Sequence, residues 1–175
     1  MEEDINLVDN NGNRVGFIGK MDAHFQGKLH EAFSIFVFNK NNELLLQKRA
    51  DEKYHSGGLW SNTCCGHPRA NENLNSAVHR RLNEEMGFDC ELKEVFSFIY
   101  NAKLPNALIE YEFDHVFIGH FEKTGITPNP EEASDYKWIK LEDLKKDLET
   151  APQEYTEWFK IILNYKKFIN ITSDF

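Results

Sequence analysis

The sequence predicts an α+β fold, a mixed or antiparallel β-sheet with helices packed on it. Three observations lead there. One amphipathic helical stretch, residues 73–86, interrupts a series of strand-like segments, and further helical segments come only near the end. Nothing repeats internally, and no linker divides the chain. The 175 residues are 41% hydrophobic and 13% aromatic, enough to bury a core in a single domain spanning 1–175.

The elements follow in order. Ile5 to Val8 and Arg14 to Ile18 flank Asn10-Asn11-Gly12, a strong turn signal, so residues 5–19 read as a hairpin. Residues 20–31 show no period and are expected to be irregular. Ala32 to Phe38 is densely apolar and aromatic; Asn39 to Asn42 turns, and Glu43 to Lys48 completes a second hairpin near the core. Residues 51–72 hold Gly57, Gly58, Gly66 and Pro68 among polar groups, and such stretches in compact chains are more often functional than idle. In 73–86, Leu74, Val78, Leu82 and Met86 share one helix face, and Gly87 is placed to end it. Arg81 with Glu85, and Arg80 with Glu84, are spaced to pair on its surface. Strands are expected at 92–100 and 108–121; in the second, Ile109, Tyr111 and Phe113 alternate with Glu110, Glu112 and Asp114. Tyr136 to Lys140 reads as a short strand and Leu141 to Glu149 as a short helix. Thr150-Ala-Pro-Gln153 has the form of a capping box with an early proline, opening a helix to about residue 169.

Charge and cysteine content exclude several classes. The net charge is -9, from 20 basic and 29 acidic residues, which disfavours nucleic acid and anionic membranes as partners. Residues 1–10 lack the basic and apolar parts of a signal peptide. No apolar run approaches the roughly 20 residues of a membrane-spanning helix. Three cysteines, two of them adjacent, argue against a disulfide framework. The expectation is a reduced, cytoplasmic protein, monomeric or weakly dimeric, acting on a small molecule.

Four constellations could carry chemistry. In Ser61-Asn62-Thr63-Cys64-Cys65-Gly66-His67-Pro68-Arg69, a cysteine two residues from a histidine serves as a metal pair, as a thiol beside its activator, or as ordinary loop packing. Glu110-Tyr111-Glu112 puts two carboxylates on one strand face, which is unfavourable unless a cation lies between them or one keeps its proton; most such pairs are simply solvated. His24 and His30, with His67 and the two glutamates, make a nitrogen and oxygen set suited to Mn, Zn or Fe, although no spacing shows that they converge. Finally, Gly66, Glu72 and Arg80-Arg81-Leu82-Asn83-Glu84-Glu85-Met86-Gly87-Phe88 resemble the Nudix box G-x5-E-x7-R-E-U-x-E-E-x-G-U. Every defined position fits except Arg81, which stands where the box has glutamate.

Taken together these residues resemble the type 1 isopentenyl-diphosphate delta-isomerase family. The segments are Lys20-Met-Asp-Ala-His24, Leu29-His30-Glu-Ala-Phe33, the run from Gly57 to Pro68, the modified box, Phe98-Ile-Tyr100 and Glu110-Tyr-Glu112. The resemblance implies a Nudix-like mixed β-sheet core flanked by helices. It implies reversible 1,3-allylic proton transfer between isopentenyl and dimethylallyl diphosphate. It makes Cys65 and Glu112 the acid–base pair, with Tyr100 assisting beside Glu112. His24, His30, His67, Glu110 and Glu112 would hold one Mn²⁺ or Zn²⁺, and Glu85 a Mg²⁺ that arrives with the diphosphate. Lys20, Arg49 and Lys53 match diphosphate contacts, and Arg81 fits the same role. Trp158 is a candidate to face a carbocation, an ordinary packing role being its alternative. The competing readings are a Nudix hydrolase and a non-catalytic module on the same fold. Arg81 in place of a metal-binding glutamate disfavours the first, and the retained acid–base set disfavours the second.

Overall fold

The computed structural model describes residues 3–122 and 124–173. Among these described residues, nine strands and five helices follow one another in an α+β order. They are β1 (Asp4–Val8), β2 (Arg14–Gly19), α1 (Lys20–Gln26), β3 (His30–Phe38), β4 (Glu43–Arg49), β5 (Trp60–Ser61), β6 (Cys64–Gly66), α2 (Leu74–Met86), β7 (Leu92–Lys103), β8 (Ile109–His120), β9 (Ala133–Lys140), α3 (Leu141–Thr150), α4 (Glu157–Leu163) and α5 (Lys166–Thr172). Among the described residues no helix is long and apolar enough to cross a membrane.

Strand β3 is the hub. It runs parallel to β8 from His30↔Glu112 to Phe38↔His120, and antiparallel to β6 over Phe33 to Ile35. The second hairpin forms, but β3 and β4 share only the register pair Phe38↔Leu44 before they diverge. Beyond that point β4 pairs with β9 along its length and with β5 at Gln47 and Lys48. The sheet is therefore mixed, and its two wings splay from the β3–β4 turn.

Both faces of β3 are buried, which is why it reads as a continuous apolar run. Phe33, Ile35 and Val37 pack with Leu45 and Phe117 against the Val78, Leu82 and Met86 face of α2. Phe36 and Phe38 face the opposite side, with Leu44, Leu46, Val116, Phe98 and the C-terminal residues Trp158, Phe159 and Phe168. Helix α2 keeps its expected bounds because both ends are specified. The Asn73 side chain accepts from the Asn75 and Ser76 amides, and Gly87 takes the left-handed conformation (φ 71°). A Cβ on Gly87 would lie 2.3 Å from the Thr127 carbonyl oxygen, so only glycine fits.

Two expectations change. Residues 20–31 are not irregular throughout: Lys20–Gln26 is helix α1, ended by Gly27 in the left-handed region. The C-terminal helix is not continuous from Thr150. The Thr150 hydroxyl donates back to the Lys146 and Asp147 carbonyls at 3.1 and 3.2 Å, finishing α3 instead of opening a new helix. A single 3₁₀ turn over Pro152–Glu154 follows. Tyr155 and Thr156 are then extended, because the Thr156 amide donates to the Trp60 carbonyl at 3.0 Å and its hydroxyl meets Ser61 Oγ at 3.0 Å. Asn164 separates α4 from α5.

Candidate active site

The even-numbered residues of β7 from Phe96 onward and of β8 from Glu110 to Ile118 share the face that points under the C-terminal helices. Phe98 lies beside Asp114, Tyr100 beside Glu112 and Ala102 beside Glu110. Glu110, Glu112 and Asp114 are all buried, continuing inward the stripe of Val116 and Ile118, while Ile109, Tyr111 and Phe113 are only half-buried. The alternation seen in the sequence is real, but its polar side faces in. A solvated Glu-x-Glu is thereby excluded.

Three other elements converge on this stripe. Helix α1 places Lys20 and His24 one turn apart, β3 begins with His30, and β6 delivers Cys65 and then His67. Strand alternation separates the two adjacent cysteines: Cys64 is fully buried in the cluster under α2, and Cys65 faces the other side. A cavity of about 200 Å³ results, lined by Cys65, Glu85, Tyr100, Glu110, Glu112 and Trp158, with Lys20, Arg49, Lys53 and Arg81 on the same walls. His67 also borders it.

His24, His30, His67 and Glu112 present ligand atoms that all lie within 4.8 Å of one another. The Nδ1–H of His24 donates to the Lys20 carbonyl at 2.7 Å and that of His30 to the Lys28 carbonyl at 2.8 Å, leaving each Nε2 with a free lone pair. Both Nε2 atoms and His67 Nδ1 are buried without a hydrogen-bond partner. Leaving such an atom unsatisfied costs about 1–3 kcal/mol, so a cation is the fitting occupant. Burial, with the neighbouring His30, depresses His24, and burial takes His67 down to about 3; neutral imidazoles are what a metal requires. Glu110 is not in this group of four. Its carboxylate meets the Tyr100 hydroxyl at 3.3 Å and lies 3.9 Å from His55.

Tyr100 donates to Glu112 Oε2 at 2.6 Å, and His67 Nε2 lies 3.1 Å from Glu112 Oε1. Burial opposes ionisation of both glutamates. The His67 and His30 imidazoles beside Glu112 outweigh it there, and the Glu112 pKa falls well below the usual range. At Glu110 the charge on Glu112 adds to burial and pushes the pKa well up. The two neighbouring carboxyl groups are thus pushed in opposite directions, the pattern by which environments assign acid and base roles. The Cys65 thiol is pushed up to about 12, first by burial, with Arg49 opposing and Glu85 and Glu112 adding to the rise.

The cations occupy two settings. Lys20 lies over the Tyr54 ring and Arg49 over the Trp158 ring, each at 5.1 Å from the ring centre. Arg81 binds Glu84 at 2.8 Å and contacts Glu85 and Glu132, and Lys53 pairs with Glu132. Glu85 is itself fixed by Gln47, whose Nε2 donates to Glu85 Oε2 at 2.7 Å and to the Thr63 carbonyl at 3.0 Å. The Trp158 indole donates to Asn62 Oδ1 at 3.2 Å.

Cys64 lies under α2, and the box residues Glu72 and Arg80 pair with each other outside the cavity, whereas the residues that the resemblance assigned to acid–base chemistry, metal and diphosphate gather here. Tyr54, His55, Gln47 and Glu132 join them unannounced. No motif distinguishes Gln47 or Glu132, which reach the site only through the pairing of β4 with β9 and the loop before β9. Tyr54 and His55 lay within the glycine-rich segment 51–72, whose lack of period was their only signal.

The Nudix domain pattern matches residues 28–159. The isopentenyl-diphosphate Delta-isomerase 2 of Photorhabdus laumondii is 60% identical over 94% of this chain and 92% of its own. The protein of that name from Aromatoleum aromaticum is 54% identical over 94% and 86%. The isopentenyl-diphosphate Delta-isomerase of Burkholderia multivorans is 50% identical over 93% and 92%. Among solved structures, a Deinococcus radiodurans protein superposes with a TM-score of 0.74 at 18% identity, covering 91% of this chain and 96% of its own. A MutT protein from Methanosarcina mazei gives 0.63 at 18% identity, covering 83% and 94%. At that identity the superpositions speak for the fold, and the sequence relatives speak for the branch. The chain belongs to the isopentenyl-diphosphate Delta-isomerase family, carried on the Nudix fold.

Proposed function

We propose that this protein interconverts isopentenyl and dimethylallyl diphosphate by moving one proton onto the terminal alkene carbon and taking another from C2. The observation that carries this reading is the enclosure of Cys65 and the Tyr100–Glu112 pair in one cavity with four cationic side chains on its walls. Lys20, Arg49, Lys53 and Arg81 would anchor the diphosphate and so fix the five-carbon tail beside the acid–base groups. An unactivated alkene is a poor base, so the site must be dry and its acid well placed. The short Tyr100 bond to Glu112 supplies a path for the proton on one side of the tail. Of Cys65 and Glu112, the one that is protonated would give its proton to the terminal carbon and the ionised one would take the proton from C2, and in the reverse direction the two exchange tasks. Burial of Cys65 suits a group that must retain its proton until substrate arrives. Trp158, its indole held by Asn62, would offer its ring to the positive charge that develops at the tertiary carbon.

His24, His30, His67 and Glu112 would hold a divalent ion, Mn²⁺ or Zn²⁺ by donor type, with Glu110 alongside. Bound there, the ion would polarise Glu112 and set its proton affinity. Glu85 would hold Mg²⁺ against the diphosphate. The free thiols Cys64, Cys65 and Cys90 suit a reducing, cytoplasmic setting. Incubation with isopentenyl diphosphate and Mg²⁺ tests the reading: the dimethylallyl isomer is the expected product, and unchanged substrate would refute it.

A further inference from the structure

We propose that Glu132 is the resident anion of the diphosphate site and makes diphosphate binding conditional on a divalent cation. The inference rests on the diphosphate reading above. Glu132 sits at the loop leading into β9, and its backbone is pinned on both sides. Its amide donates to the Asn129 carbonyl at 2.9 Å, and its carbonyl accepts from the Ala50 amide at 3.0 Å. The side chain reaches into the cavity, with only 19% of its surface exposed. Glu132 Oε2 pairs with Lys53 and lies 3.3 Å from Arg81 Nη2, and Oε1 lies 3.4 Å from Arg81 Nη1.

Two of the four cations assigned to the diphosphate are therefore already held by a carboxylate. Lys20 and Arg49 are not held in this way; they lie over aromatic rings. Glu85 also contacts Arg81, so two carboxylates border the same position. A bare diphosphate entering here would compete with Glu132 for Lys53 and Arg81 and face two like charges at close range. A diphosphate that brings Mg²⁺ adds two positive charges, which offset Glu85 and Glu132 while the phosphate oxygens take Lys53 and Arg81. Glu132 would thus discriminate between metal-bound and free diphosphate, and keep small anions out of a pocket rich in cations. Nothing in this argument requires Glu132 to touch the reacting carbons; it acts on binding.

The test is calorimetric binding of inorganic pyrophosphate to wild type and Glu132→Gln, in buffer with and without Mg²⁺. Wild type should bind far more tightly with Mg²⁺. Without Mg²⁺, E132Q should bind roughly tenfold or more tightly than wild type, because Lys53 and Arg81 lose their internal partner. The Mg²⁺ dependence should shrink accordingly. Glu132→Ala should behave alike, and melting curves of both variants report whether they fold. An unchanged Mg²⁺ dependence in the folded variants, or weaker binding in both buffers, would show Glu132 to be a clamp for Lys53 and Arg81 and overturn the inference alone. Failure of wild type to bind pyrophosphate even with Mg²⁺ would take down the diphosphate reading, and this inference with it.

Discussion

At the scale of residues, the two cysteines make the sharpest contrast. They are adjacent in sequence yet face opposite sides of β6. Cys65→Ala should lower kcat by about 10²–10⁴, the usual loss of an acid–base group, whereas Cys64→Ala, which trims a core side chain, should keep most turnover. Steady-state rates on both variants decide it, and near-normal turnover of Cys65→Ala would remove the thiol from the mechanism. The three imidazoles are the second case. Elemental analysis of the purified protein should find about one Mn or Zn per chain, and His67→Ala should lower that content. A metal-stripped wild type that stays fully active without added divalent ion would contradict the metal reading. Residue identities of this kind were legible in the sequence because chemistry restricts them: few side chains can bind a metal or carry a proton. Glu132 and Gln47 escaped because glutamate and glutamine are common, and only tertiary contact distinguishes these two.

At the scale of elements, legibility followed period. Helix α2 was visible because its apolar positions recur on one face and both ends carry capping residues. The strand β8 was visible too, but which of its sides is buried was not, since alternation is symmetric and the carboxylates occupy the inner side. Helix α1 was missed because it is a seven-residue element with little apolar repeat, held by Gly27 and by packing. The C-terminal break was missed because it comes from long-range bonds of Tyr155 and Thr156 to the β5 region, which no local propensity encodes. Strand β4 carries a testable consequence of its own. Gln47, fully buried there, orients Glu85. Gln47→Leu should raise the Mg²⁺ concentration for half-maximal rate by about tenfold or more, as loss of a partner behind a metal ligand commonly does. A Mg²⁺ titration of the initial rate measures this; an unshifted midpoint would mean that Glu85 needs no such support.

At the scale of the whole molecule, the fold brings Cys65, the Tyr100–Glu112 pair and four cationic side chains to the walls of a single cavity. The fold alone does not choose between isomerase and hydrolase, since both share it. The fate of hydrogen and phosphate does. In D₂O the methyl group formed from the terminal carbon should gain deuterium, and no inorganic phosphate should appear. Mass spectrometry of the allylic product and a phosphate assay on the same sample give both readings. Phosphate release without deuterium uptake would favour the hydrolase. The parallel pairing of β3 with β8 is the feature that holds this arrangement together, and it has a bearing on synthesis. Ser34 and Asp114 meet across 80 residues of chain, and His30 lies opposite Glu112 in the same register. A nascent chain that has not yet reached Glu110 already contains the three imidazoles of the cluster and both adjacent cysteines but lacks β8, the parallel neighbour of β3. Contacts so distant in sequence form slowly, and the open edge of an apolar strand exposed meanwhile invites aggregation. The candidate site is therefore among the last parts of the protein to form: its thiol and imidazoles pass through synthesis as separate side chains and come together only when the second half of the chain closes over the first.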